Sequence, residues 1–364
     1  MKADPSSADS TLLAKLLTVA LLAAGLLLST VVLYLAFMTA TDFRPPALLE
    51  LEIRNNTAAI LGKGTPFSVL SFNIGYCGMD AGADFFMDGG RGSRSASLQQ
   101  TQTNLRRIAA FLAAEPADLV LLQEVDRRAS RSYRVDELDE LEKRLAGHGG
   151  IFALNYKVPW VPVPLARPMG AVESGLLTFS RLRVNSARRF RLPGKEAWPR
   201  QLAELDRCVS ECRLPLKEGG ELVLFNLHLS AFDRGGRIRR QQLTWLRERL
   251  LAEYKNGSHV IAGGDWNHGL PGSDPERFPA TMAPSAWYMA LPPGFTPPGF
   301  VWALDPTRPT VRASSTPYRP GENFVAVIDG FLVSDNVAVR QVSVRDLDFA
   351  NSDHNPVRAV FLLK

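Results

Sequence analysis

Cysteine and histidine are both scarce in this chain, with three of the first and five of the second in 364 residues. Three cysteines (Cys77, Cys208, Cys212) exclude a disulfide framework as the source of stability. Cys208 and Cys212 are four apart in a stretch patterned as a strand, which separates them by roughly 13 Å, too far to bridge. As a CxxxC zinc half-site they have no second pair to complete them. The histidines (His148, His228, His259, His268, His354) are isolated and show no HxxxH spacing, so nothing resembles a zinc ligand set. Internal repeats at a solenoid period are missing too, as is a stripe of alternating cations and aromatics that would read DNA. The formal net charge of +5, with a pI near 9.2, mildly favours an anionic partner such as a phosphate ester or a lipid surface. It is too small and too scattered to argue for nucleic acid by itself.

Charge is also absent from the whole stretch Leu16 to Ala40. As a helix rising about 1.5 Å per residue, it exceeds the roughly 30 Å hydrocarbon core of a bilayer. A cleaved signal peptide, with a cut near Thr39-Ala40, is the alternative, but its apolar part is about 7–15 residues long. The expected organisation is an N-terminal tail (1–15), a transmembrane anchor (16–40), a linker (41–64) carrying Pro45-Pro46, and a catalytic domain (65–364). Lys2, Lys15 and the α-amine precede the span, and Arg44, Arg54 and Lys63 follow it, so the positive-inside balance is nearly even. A short tail retained inside is the usual outcome for a lone anchor, which predicts an extracytoplasmic domain.

Within that domain Phe67–Phe72 alternates as a strand and ends at Asn73, and a Gly-rich loop runs from Gly75 to Arg94. Helical spacing covers Leu98–Ala114, Asp136–Leu145 and Arg237–Tyr254. Leu119–Leu122, Leu176–Phe179, His259–Ala262, Val325–Val333, Val337–Leu347 and Val357–Leu363 read as strands. Cys208–Pro215 and Glu221–Leu229 form a hairpin turned at Gly219-Gly220. Prolines at 159, 162, 164 and 168 deny Asn155–Ala171 a central strand position and predict an extended surface segment. Pro271–Pro320 reads as a long irregular excursion. Strands of both types interleaved with a few helices predict a mixed α/β sandwich.

Four short segments place polar groups directly after apolar runs: Gln123-Glu124, Asn226-Leu227-His228-Leu229, Gly263-Gly264-Asp265-Trp266-Asn267 and Ser352-Asp353-His354. Buried strands that end this way deliver their side chains to a sheet rim, where α/β proteins build sites. Carboxylates and carboxamides suit a hard cation such as Mg²⁺, which keeps positions for water and substrate phosphate. His228 and His354 beside acidic partners suit phosphoryl transfer, one imidazole acting on the phosphate or leaving oxygen and the other oriented by a carboxylate. Asp329, within Val327-Ile328-Asp329-Gly330, needs a buried partner, and His354 is the best candidate.

Together, Asn73, Gln123-Glu124, the Asn226–Leu229 segment, Gly264-Asp265-Trp266-Asn267, Ile328-Asp329 and Ser352–His354 resemble the endonuclease/exonuclease/phosphatase superfamily over about Phe67–Lys364. The resemblance implies an α/β four-layer sandwich of two packed mixed sheets flanked by helices, here preceded by one transmembrane helix. It implies Mg²⁺, with Mn²⁺ as the alternative, held by Glu124 with Asn73 and Asp353 nearby. Asp265 and Asn267 would position the water or phosphate, Asp329 would orient His354, and His228 would contact the scissile phosphate. The implied reaction is in-line attack of water on a phosphoester, with Asp265 or His354 taking the proton. Arg91 and Arg94 are candidates for clamping a second phosphate or head group, and Tyr133 for a nuclease-type tyrosine. The expected function is a phosphodiesterase or phosphatase on a lipid head group or small phosphoester. The alternatives are a membrane-tethered nuclease, for which nucleic acid would be the partner, and a non-catalytic scaffold. Oligomeric state is not legible.

Overall fold

Alternation along the sequence becomes two β-sheets stacked face to face. The computed structural model describes the backbone of residues 5–364 and the side chains from residue 12, position 234 excepted. The first four residues of the expected tail lie outside the described residues. Helix α1 spans Pro5–Ala40, so the described part of the tail continues into the apolar segment. Three more α-helices follow: α2 (Leu98–Ala114), α3 (Glu137–Arg144) and α4 (Arg237–Lys255).

The six-stranded sheet runs β14 (Val337–Val344), β15 (Val357–Leu363), β2 (Phe67–Asn73), β3 (Leu119–Asp126), β5 (Gly170–Ser180) and β4 (Gly149–Val161). The seven-stranded sheet runs β1 (Leu48–Glu50), β6 (Ser186–Arg191), β7 (Cys208–Pro215), β8 (Glu221–His228), β9 (His259–Asp265), β13 (Asp329–Ser334) and β10 (Phe300–Ala303). A small ladder pairs β11 (Val311–Arg312) with β12 (Val325–Ala326). Each large sheet is antiparallel except for one central parallel pair, β2–β3 in one and β8–β9 in the other. The result is a four-layer α/β sandwich.

Period-two side-chain alternation sorts each strand between two cores. Leu119 and Leu121 turn inward to meet Cys212, Leu224, Ile261 and Phe331 of the facing sheet. Val120 and Leu122 turn outward beneath Ile108, Leu112 and Leu141 of α2 and α3. On the opposite face Leu243, Leu246 and Leu250 of α4 cover Val223, Phe225 and Val260. Fully burying one such side chain stabilises by roughly 1.5–3 kcal/mol.

Four expectations need correction. Asn155–Ala171 is not wholly a surface segment, because its first part belongs to β4. That strand is the sheet edge, paired along its length with β5, and its register shifts across Pro159-Trp160, where a missing N–H costs no ladder bond. Val325–Val333 is two strands rather than one. The chain leaves β12, and Thr310 Oγ1 accepts from the backbone N–H groups of Ile328 (2.9 Å) and Asp329 (3.0 Å) before β13 begins. The 41–64 stretch, expected as a linker, supplies β1 on β6, and Leu61 joins the inter-sheet core. The Pro271–Pro320 excursion supplies β10, an edge strand of the larger sheet.

Just beyond β9, His268 is buried, with Nδ1 2.7 Å from the Trp266 carbonyl and Nε2 unpartnered. Burial pushes its pKa down to about 4, below the value of about 6.5 it has unfolded. Neutral His268 therefore stabilises the fold fully above pH 6.5, and that contribution is lost as pH falls toward 4, about 1.4 kcal/mol per pH unit. His268→Gln, which keeps a donor for Trp266, is expected to flatten the stability profile over this window in denaturant titrations. Parallel wild-type and variant profiles would contradict this.

Candidate active site

Both parallel pairs end at the same rim. Asn73 pairs with Gln123 at the end of β2–β3, and His228 with Asp265 at the end of β8–β9. Asp329 opens β13 directly opposite Asp265. The sheets are tied here by buried amides. Gln123 Nε2 donates to Asn226 Oδ1 (2.8 Å), and Asn226 Nδ2 donates to the Leu122 and Leu177 carbonyls. Such buried cross-sheet bonds fix how one sheet sits over the other, although Gln123 Oε1 is left without a partner.

Backbone irregularities aim the side chains. The β3–β5 register shifts between Leu122 and Val125, and Glu124 in that bulge has φ 55°. A left-handed conformation costs a non-glycine residue about 1 kcal/mol or more, and such strain clusters at sites. Asn267, at φ 50°, is a second case. Gly264 allows close approach: a Cβ there would lie 2.1 Å from the Leu227 carbonyl oxygen.

A continuous polar chain results. His354 Nδ1 lies 2.9 Å from Asp329 Oδ2, and its Nε2 lies 3.8 Å from Asp265 Oδ2. His228 Nε2 approaches the same Asp265 oxygen at 3.4 Å. Asn73 Nδ2 donates to Asp265 (3.1 Å) and to Glu124 (3.2 Å), and the Asn267 N–H donates to Asp265 Oδ1 (2.9 Å). Ser352 Oγ donates to the Asn73 carbonyl and accepts from the His354 N–H, which fixes the Ser352–His354 turn against β2. Asp353 and Glu124 both line a cleft of about 380 Å³.

Electrostatics separates the two imidazoles. Burial, Arg207 and His354 push His228 well below the ordinary histidine value, keeping it neutral. Burial acts in the same direction on His354, but the Asp329 and Asp265 carboxylates outweigh it and raise its pKa, holding the ring protonated. Burial raises the Asp265 carboxyl. Burial also raises Glu124, against Arg131, and Asp353 raises it further.

The fold thus brings Glu124, His228, Asp265, Asn267, Asp353 and His354 to one cleft, with Asn73 and Asp329 bonded to them from behind. Asn73 turns its Nδ2 rather than its oxygen toward the carboxylates, because Oδ1 accepts from the Gly75 N–H (3.0 Å). In this arrangement it orients Glu124 and Asp265. Arg91, Arg94 and Tyr133 do not line the cleft. Arg91 is exposed, Arg94 Nε donates to the Pro168 carbonyl, and Tyr133 donates to the Ala96 carbonyl. Three residues that sequence reasoning missed do line it: Tyr76, Arg131 and Arg207. Arg131 pairs with Asp126 (2.9 Å), lies 3.7 Å from Glu124 and sits 3.9 Å over the Tyr76 ring. Arg207 donates to the His228 carbonyl (3.3 Å).

The donor set fits a hard divalent cation. The Glu124 and Asp353 carboxylates line the same cleft, where burial and Asp353 raise the proton affinity of Glu124, and paired carboxylate oxygens suit such an ion. Asp265, Asp329 and His354 also offer ligand atoms within 4.8 Å of one another. There, however, the imidazole is already ion-paired, which suits proton chemistry better than coordination.

Among curated proteins, none matches the sequence. The structure resembles an endonuclease/exonuclease/phosphatase from Beutenbergia cavernae, with TM-score 0.57 and 20% identity over 82% of this chain and 72% of that one. It also resembles a family protein from Bacteroides thetaiotaomicron, with TM-score 0.53 and 19% identity over 82% and 96%. D. rerio TDP2, solved with a single-strand DNA product, aligns at TM-score 0.50 and 15% identity over 82% and 99%. The profile of the Endonuclease/Exonuclease/phosphatase family matches residues 70–354, most of the chain and every residue of the cleft's polar chain, and this chain belongs to that family of metal-dependent phosphoester hydrolases.

Proposed function

We propose that this protein hydrolyses a phosphoester with Mg²⁺, or Mn²⁺ in its place, and that α1 anchors it in a membrane with the catalytic domain extracytoplasmic. One observation carries the reading. The Asp329–His354–Asp265–His228 chain meets the carboxylates of Glu124 and Asp353 at a single cleft. Glu124 and Asp353 would hold the cation, which when bound would neutralise charge developing on the phosphate.

The chain's own residues supply the remainder. His354 is clasped between two carboxylates, so its proton is a donor toward phosphate rather than a vacancy for one. Asp265 is left as the acceptor for the proton of the attacking water, oriented by Asn73 and the Asn267 N–H. His228, neutral and adjacent, donates to a phosphate oxygen or to the leaving group. Arg131 and Arg207 add fixed positive charge. The helix Leu12–Ala40 is long and apolar enough to span a membrane, which supports anchoring. A nuclease would need a basic groove, yet the cations near the cleft are largely paired, Lys195 with Asp206 and Arg200 with Glu204.

Hydrolysis in ¹⁸O-enriched water with bis-p-nitrophenyl phosphate tests the reaction type. The label is expected in the phosphate product, and only with divalent metal present. Label in the alcohol, or equal turnover in EDTA, would overturn the reading.

A further inference from the structure

The membrane helix does not stand clear of the catalytic domain. Its C-terminal end forms part of the wall beside the cleft. Met38, 1% exposed, packs among Tyr156, Val158, Val161, Met169 and Leu202, with Tyr34 and Leu35 against the same cluster. Tyr34 donates to the Trp160 carbonyl (3.0 Å), and the Trp198 indole donates to Thr39 Oγ1 (3.3 Å). The cluster continues into the cleft, where Val161 and Met169, with Phe85 and Phe86, form its apolar side.

The helix also sets the depth of this wall. Lys15 is the last charged residue before the apolar run. About 20 residues of helix cross a hydrocarbon core of roughly 30 Å, so a span starting at Leu16 leaves the core near Leu35. Tyr34 to Thr39, the part that touches the domain, therefore sits at the bilayer interface. The domain surface around this contact is apolar where water would otherwise meet it: Leu165 is 85% exposed, Trp198 55%, Trp160 43% and Val163 42%. Tryptophan at that depth suits the head-group zone, with its ring in the apolar boundary and its N–H hydrogen-bonded.

We propose that the cleft opens onto the membrane and takes an amphiphilic phosphoester from it. The phosphate would reach the polar chain, and the lipid's apolar part would lie along Phe85, Phe86, Val161 and Met169. This assignment rests on the hydrolytic reading above and names its substrate class. In the reaction a water oxygen bonds to phosphorus, the P–O bond to the leaving alcohol breaks, and that alcohol's oxygen ends with a proton from the water. Lys195 and Arg200 at the rim are paired with Asp206 and Glu204, whereas the apolar wall continues directly from the span.

The test uses the full chain reconstituted in vesicles of phosphatidylethanolamine and phosphatidylglycerol. It compares release of water-soluble product from the lipid with turnover of bis-p-nitrophenyl phosphate and of glycerophosphoethanolamine, the same ester without acyl chains. A Trp160→Asp/Leu165→Asp variant changes two exposed side chains that do not line the cleft. Wild type is expected to cleave the lipid faster than its deacylated form. The variant is expected to lose lipid cleavage at least about tenfold, as loss of one buried apolar side chain predicts, with soluble turnover unchanged. Turnover of soluble esters without lipid cleavage would overturn this inference alone, as would equal rates on lipid and deacylated ester. A variant that keeps lipid cleavage, or loses both activities together, would also overturn it. No turnover of any ester by wild type would overturn the hydrolytic reading with it.

Discussion

Glu124→Gln is expected to lower kcat by about 10³-fold, the several kcal/mol of charge stabilisation that a catalytic cation supplies. The substitution keeps the side chain's shape and its contact with Asn73 but removes the negative charge facing Asp353. The variant should remain folded, since Glu124 is 25% exposed and Arg131, its ion-pair partner, lies as far as 3.7 Å away. The strained backbone at φ 55° persists in either variant, so it does not bias the comparison. Steady-state rates with a metal titration check this. Near-wild-type turnover at low metal would mean that the cation sits elsewhere.

Asp329→Asn is expected to cost about 10²–10⁴-fold in kcat, the range for losing an oriented acid–base group. Asp329 Oδ2 is the 2.9 Å partner of His354 Nδ1, and its charge together with that of Asp265 outweighs the burial that disfavours the imidazolium. An amide keeps the volume and removes that charge, so His354 holds its proton less tightly and loses the partner that fixes its ring. Because raised His354 is protonated at neutral pH only through its carboxylates, the variant should also lose activity at lower pH than wild type as pH rises. Rates measured across pH, alongside an unchanged unfolding midpoint, separate this from misfolding. A wild-type rate and profile would remove Asp329 from the chemistry.

Much of this site was legible because strands announce their ends. Leu119–Leu122, Leu222–Phe225 and Val260–Ala262 are continuous apolar runs, and a polar residue that follows one must emerge at a rim. That logic led to Glu124, His228 and Asp265 from single segments. Arg131, Arg207 and Tyr76 follow no such run. They arrive from loops and a strand start, and only tertiary contact brings Arg131 over Tyr76. The expectation for Arg91 and Arg94 rested on loop position and charge, and that for Tyr133 on the resemblance to family nucleases; Arg94 and Tyr133 instead hold the Pro168 and Ala96 carbonyls. Proline density read correctly as unfit for a sheet centre, but it could not tell an edge strand from a loop. β4 is that edge, and its outer side carries Trp160. The break at Val327-Ile328 was hidden because both strands are equally apolar, and the division depends on the Thr310 hydroxyl, far away in sequence.

The most direct test of the account is turnover of bis-p-nitrophenyl phosphate by the full chain stripped with EDTA, with Mg²⁺ or Mn²⁺ then added back, for wild type and Glu124→Gln side by side. The account predicts silence without metal, recovery on addition in the wild type, and little recovery in the variant. Turnover that persists after stripping, or recovers equally in both proteins, would contradict it.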